Sequence, residues 1–205
     1  MAADQVLKRF ARQIRKEDAS RKAKAFSTGS TMQIAKSTYS LAQDHNNCAL
    51  MIGAYRALAV AFYCLGDFEI ARQNAMRGVQ MWRSGGVQSP VEEISTPETI
   101  CRCYEGLCEW HIGEIASCHA AIAEAISLAR ELNDMHALAV ALYWSGWLAH
   151  VEGFPSEVER WASDLIELST RQNFAIWLAG GEVFAAGREA LPGIRSRVSR
   201  GLRMG

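Results

Sequence analysis

The sequence predicts an all-α chain built as a stack of antiparallel helix hairpins, an α-solenoid. Three observations carry this prediction. Apolar residues recur at helical spacing over most of 47–186, short glycine turns interrupt them, and the segments between turns share one pattern. No strand-like alternation competes. The 205 residues are 49% hydrophobic and 21% charged with only 4 prolines, enough apolar material for a buried core.

The elements follow in order. From about Asn47 to Leu65 the chain is apolar on most sides, and Gly66-Asp67 breaks the run. A second, amphipathic stretch starts at Phe68 and reaches about Trp82, where Ser84-Gly85-Gly86 opens a longer polar connection closed by Pro90 and Ser95-Thr96-Pro97. Thr96 before Pro97 predicts a helix start, with threonine as cap and proline in the first turn. That helix covers 97–112 and ends at Gly113; the next covers 114–132 and ends at Asn133-Asp134. A third pair covers 135–152 and about 156–171, parted by Gly153 and Pro155. A seventh helix begins near Asn173 and carries Ile176, Trp177, Val183 and Phe184.

The first pair matches a repeat signature at ten positions: Tyr55, Leu58, Ala59, Phe62, Gly66, Asp67, Phe68, Ala71, Ala75 and Gly78. The second places Gly106 and Gly113 at corresponding points, and the third places Gly146 and Gly153. Small residues at such points let two helices cross closely. The turn glycines 66, 113 and 153 stand 47 and 40 residues apart, longer than the minimal 34-residue repeat. On these residues the chain resembles the tetratricopeptide-like superfamily. The segments "ALMIGAYRALAVAFYCLGDFEIARQNAMRGVQMW", "CEWHIGEIASCHAAIAEAISLARELNDMHALAVALYWSGWLAH" and "DLIELSTRQNFAIWLAGGEVF" are similar to the C-terminal repeat region of bacterial signalling proteins in which an adenylate/guanylate cyclase-type domain and a predicted ATPase module precede helical repeats. The similarity covers about 30–184. It implies a repeat module that binds a protein or peptide, or packs against other domains of a parent signalling protein.

Charge divides the chain into three parts: a basic segment 1–25, a repeat domain 26–187 and a basic tail 188–205. Residues 1–25 carry eight basic groups against Asp4, Glu17 and Asp18, a net of +5, and 188–205 carry five arginines against Glu189, a net of +4. The total is zero, so 26–187 holds a net of −9. The ends read as solvated termini, 1–25 weakly packed or helical and 188–205 weakly packed, with docking to anionic surfaces or to the acidic body as the alternative. A neutral total argues against a generally basic nucleic-acid binder. No 18-residue apolar run is read in the sequence, which rules out a membrane span, and the N-terminus lacks the apolar core of a secretory signal, so the expected location is cytoplasmic. The arginine-dotted end departs from the resembled family and suggests a fragment of a larger protein. It offers little cover for the seventh helix, whose apolar face is expected to stay exposed and to favour self-association or a partner.

Catalytic motifs are missing: no G-x-x-x-x-G-K-[ST], no H-E-x-x-H, no G-x-S-x-G. The expectation is a chain that is not an enzyme and uses no cofactor or metal. Cys101, Cys103, Cys108, His111, Cys118 and His119 form a Cys/His cluster, but without zinc-ligand spacing they read as apolar packing. Trp82, Trp110, Trp144, Trp147, Trp161 and Trp177 read as packing elements between hairpins. The acidic run Glu92, Glu93, Glu98, Glu105, Glu109 and Glu114 reads as a solvated face, with docking of a basic partner as the alternative. Two function classes remain open: a protein-interaction module, and a sensor that admits a small molecule between hairpins.

Overall fold

The structure, a computed structural model, describes residues 32–44, 48–85 and 96–187. The basic ends 1–25 and 188–205, together with Glu92 and Glu93, lie outside the described residues. Eight helices and no strand occur among the described residues. They are α1 (32–44), α2 (Cys48–Leu65), α3 (Phe68–Gly85), α4 (Pro97–Ile112), α5 (Ile115–Glu131), α6 (Met135–Glu152), α7 (Pro155–Gln172) and α8 (Ala175–Gly187). Helices α2–α3, α4–α5 and α6–α7 are the three hairpins. Helix α1 is one of the flanking helices expected beside about three hairpins, though the sequence reading did not place it. Only Ala35 and Ala42 along it are fully buried, too faint a stripe to register as a period.

Composition decides which helices lie inside. In α6 the run Ala137–Leu142 is buried without a break, and Ser145, Gly146, Leu148 and Ala149 continue it, so the helix is covered on nearly all sides. Helix α7 buries only Val158, Ala162, Leu165, Leu168 and Ser169, one stripe of an otherwise polar helix, and packs outside α6. Helix α4 packs against α2, α3, α5 and α6 and is the element that joins the first two hairpins to the third. Helix α2 is long and apolar enough, by length and composition, to cross a membrane, which corrects the expectation that no segment reaches that threshold. Arg56 interrupts it, and it buries Ile52, Ala54, Leu58, Ala59 and Ala61 within the stack.

Five helix-to-helix turns repeat one backbone geometry. The residue after each left-handed position donates its N–H five residues back: Asp67 to Phe62, Glu114 to Glu109, Asp134 to Ala129, Phe154 to Ala149 and Phe174 to Ser169, at 2.8–3.0 Å. This is the bond that closes a Schellman-type helix end. Within hairpins the left-handed residue is glycine (Gly66, Gly113, Gly153; φ 79° to 99°), and between hairpins it is Asn133 or Asn173 (φ 53° and 57°). Thr96 departs from expectation. Pro97 does occupy the first turn of α4, but the Thr96 side chain does not cap that helix. Its hydroxyl donates instead to Asp134 Oδ2 at 2.7 Å, while Asp134 Oδ1 caps α6 through the Ala137 N–H at 2.8 Å. One carboxylate thus ties the starts of α4 and α6 together.

The small residues stand where helices approach. Ala59, Ala71 and Ala75 are wholly buried, and Gly78 is buried beside them. A Cβ on Gly78 would lie 2.8 Å from Cys101 Sγ; one on Gly106 would lie 3.0 Å from the Cys118 carbonyl oxygen and 3.1 Å from Ile122 Cγ1. Backbone cannot step aside as a side chain can. Gly106→Val is therefore expected to cost roughly 1–3 kcal/mol by overpacking the α4–α5 crossing, read as a lowered urea midpoint. An unchanged midpoint would mean that α4 and α5 do not cross there.

Candidate functional site

Three groups of side chains in the stack bear on recognition, and the structure places the second of them in the interior. The first is a series of aromatic rings running along the inner helices. Tyr63 of α2 meets Tyr104 of α4 edge-on at 5.3 Å, and Tyr104 meets Trp144 of α6 at 6.0 Å. Trp144 meets Tyr143 at 5.2 Å, which meets Trp177 of α8 at 5.6 Å. Trp110 and Trp147 join from the side at 5.5 Å. All seven are half-buried, so each takes part in packing and stays partly accessible. Trp110, Trp144, Trp147 and Trp177 thus pack between hairpins, as their spacing predicts, and Trp161 packs against the same core, while the series also includes tyrosines that sequence reasoning left out. Their alignment depends on the superposition of α2, α4 and α6, which no single-helix period reveals.

Near the α2–α3 turn Phe68 stacks on His111 with ring centroids 4.0 Å apart, and Tyr63 Oη lies 3.2 Å from His111 Nε2. Burial lowers the His111 pKa and pushes the Tyr63 phenol up to about 12, so both stay neutral near pH 7. The Cys/His cluster does not converge. Cys101, Cys103, Cys108 and Cys118 are buried. Cys101 lies against Gly78, and Cys103 and Cys118 belong to the core around Leu107 and Ile122. Burial pushes the Cys108 and Cys118 thiols up to about 12 and raises that of Cys103 as well, which keeps them protonated and poor nucleophiles. His119 instead pairs with Glu152 at 3.1 Å. Among the described residues no three or more His, Cys, Asp or Glu side chains gather where they could hold a metal ion.

The second group corrects the reading of the acidic run. Glu114 is exposed, but Glu98, Glu105 and Glu109 are only 3%, 7% and 8% exposed. Successive spacings of seven and four residues put them on one stripe of α4, and Arg102 sits beside it. The stripe faces the space between α3 and α5 instead of solvent. Arg102 bonds Glu105 at 2.7 Å and lies 3.3 Å from Glu124 of α5; Arg83 of α3 lies 3.7 Å from Glu98 and also bonds Glu124. A polar stripe at helical spacing carries the same period whether water or another helix's arginines satisfy it, so sequence alone favoured the wrong side.

Burial raises the pKa of Glu98, Glu105 and Glu109, opposed by Arg83 and Arg102 at the first, by Arg102 at the second and by Arg72 at the third. Glu105 adds to the rise at Glu109, whose buried Oε2 has no hydrogen-bond partner. A carboxyl with a raised native pKa binds its proton more tightly folded than unfolded. Its ionised form therefore costs stability, and that cost appears as pH rises through the native value. Glu109→Gln is expected to raise the urea midpoint at pH 7, with the difference vanishing below about pH 4. A lower midpoint at pH 7 would show that attraction to Arg72 outweighs burial.

The third group lines a cleft of about 450 Å3 between α5 and α7 over α6. Ile122, Ile126, Leu148 and Ala149 are among the apolar side chains lining it, and Glu152, Glu157, Arg160 and Trp161 stand among its polar and aromatic ones.

Comparison with known proteins adds one finding. The family model of anaphase-promoting complex subunit 5, a helical-repeat family, matches residues 106–152, the span from Gly106 in α4 to the end of α6. No curated protein matches the chain. The fold and this match agree that the chain is a helical-repeat array; the match supports that part of the resemblance and does not extend to the cyclase and ATPase modules.

Proposed function

We propose that the chain is a non-catalytic protein-interaction module. The observation that carries this reading is the aromatic series from Tyr63 to Trp177, which crosses α2, α4, α6 and α8 and whose members all stay partly accessible. Tyrosine and tryptophan supply large contact area with few rotors, and interfaces draw much of their energy from them. A stack of hairpins spreads such contacts over an extended face without needing a catalytic pocket. Burial keeps the thiols of Cys103, Cys108 and Cys118 protonated and poor nucleophiles. The matched family's name, a subunit of a complex, points the same way.

The narrower reading is that the module serves bacterial signalling in the cytoplasm, within or beside a cyclase/ATPase-type protein whose domains it regulates. It is supported by the wording of the repeat segments. Partner dependence or self-association is supported by α8, where Ile176 and Val183 are 73% and 62% exposed, although Trp177 and Phe184, expected to be exposed beside Val183, pack inward on Tyr143. The cleft over α6 supports the second reading, a sensor that admits a small molecule between hairpins.

Only ligands that bind the native state raise the melting temperature. The module reading expects no shift from a metabolite panel, and a clear rise when a protein that co-purifies in stoichiometric amount is added back. A metabolite that raises the melting temperature, with no protein retained, would favour the sensor and contradict the module.

A further inference from the structure

The cleft over α6 has a repeat-related counterpart that differs in one respect. Gly106 and Gly146, like Gly113 and Gly153, stand 40 residues apart, and the same offset relates Glu105 to Ser145 and Glu109 to Ala149. Between α3 and α5, the large side chains of Glu105 and Glu109 on α4, with Arg102 beside them, fill the space over that helix. Between α5 and α7 the corresponding positions on α6 are small, and a cleft opens there. Ser145 offers no spare donor, since its hydroxyl bonds the Ala141 carbonyl at 2.8 Å.

The two sides of this cleft have the chemistry that holds guanidinium groups between α3 and α5. On one side Glu152, its side chain 13% exposed, is fixed through Oε1 by the Trp110 indole N–H at 3.1 Å and by His119 Nε2 at 3.1 Å. On the other side the Arg160 guanidinium lies 4.1 Å above the Trp161 ring and bonds Glu157. That wall already stabilises a guanidinium between an aromatic face and a carboxylate. The floor of Ile122, Ile126 and Leu148 is apolar, and with only 4%, 7% and 2% of these residues exposed it offers an apolar group a narrow seat. The net charge of −9 over 26–187 favours a cationic segment over an anionic one.

We propose that this cleft docks a segment of a partner protein that lays an apolar side chain on the Ile126–Leu148–Ala149 floor and sets a neighbouring arginine against Glu152. The partner's arginine then plays the part that Arg102 plays one hairpin earlier. The assignment rests on the interaction-module reading and gives it a site and a ligand chemistry.

A randomised peptide phage library panned on the immobilised full chain tests it. The expected result is enrichment of arginine next to a leucine, isoleucine or phenylalanine. The synthetic form of the selected peptide should bind about tenfold more weakly to Glu152→Gln, the loss of one charge-assisted hydrogen bond. It should not bind Ala123→Trp, which fills the mouth of the cleft from an exposed position. Circular-dichroism melts of both variants should follow that of the parent chain. Because the Glu152→Gln amide keeps an acceptor for Trp110, a variant that loses binding without losing its melt separates recognition from folding. Failure to enrich any peptide, enrichment of acidic peptides, or binding that ignores Ala123→Trp overturns the proposal. So does a small hydrophobic amine, phenethylamine as probe, that raises the melting temperature of the parent but not of Ala123→Trp while no peptide is selected. A chain that retains a protein partner undiminished by Ala123→Trp overturns the cleft assignment alone and leaves the interaction module standing.

Discussion

The close approach of α4 to its neighbours is the constraint on which the rest of the stack depends. Helix α4 touches α2, α3, α5 and α6, and it can do so only because Gly78 admits Cys101 from one side and Gly106 admits the α5 backbone from the other. Eleven of its sixteen residues are buried, including three carboxylates that few core helices would tolerate. The arginines of α3 and of α4 itself offset part of the desolvation, and Arg83 and Arg102 together bridge α4 to Glu124. The same helix supplies Tyr104 and Trp110 to the aromatic series. Packing, electrostatics and the recognition surface therefore share one element, and a disturbance at Gly106 reaches all three.

Turn chemistry propagates that arrangement along the chain. A left-handed residue followed by a five-residue-back hydrogen bond fixes the exit direction of each helix, and its recurrence at Gly66, Gly113, Asn133, Gly153 and Asn173 gives successive helices a common relation. Asp134 then locks α4 to α6 through Thr96 and the α6 cap. The result is a regular scaffold whose variation lies in the side chains facing the gaps between outer helices. One gap is filled with internal charge, and the next is open.

The helices and their turns were legible because both are local. Hydrophobic period located α2 to α8 within a few residues, and glycine or asparagine marked each end. What escaped was non-local. Glu98, Glu105 and Glu109 carry the period of a solvated stripe, and only the arrival of Arg72, Arg83 and Glu124 from other helices makes that stripe interior. The tyrosines of the aromatic series were invisible for the same reason, since Tyr63, Tyr104 and Tyr143 lie on three different helices. Thr96 shows the limit of a local rule: a good capping residue was drawn to a carboxylate 38 residues away.

If α4 is the shared hub, the hairpins cannot open one at a time. Native-state hydrogen exchange measures this most directly, because it assigns an opening free energy to each helix. The amides of α2 through α7 should exchange with one common free energy equal to that of global unfolding, with α1 and α8 opening more easily at the edges. A separate, lower opening free energy for α2–α3, leaving α4–α7 protected, would contradict the account and make the stack a row of independent hairpins.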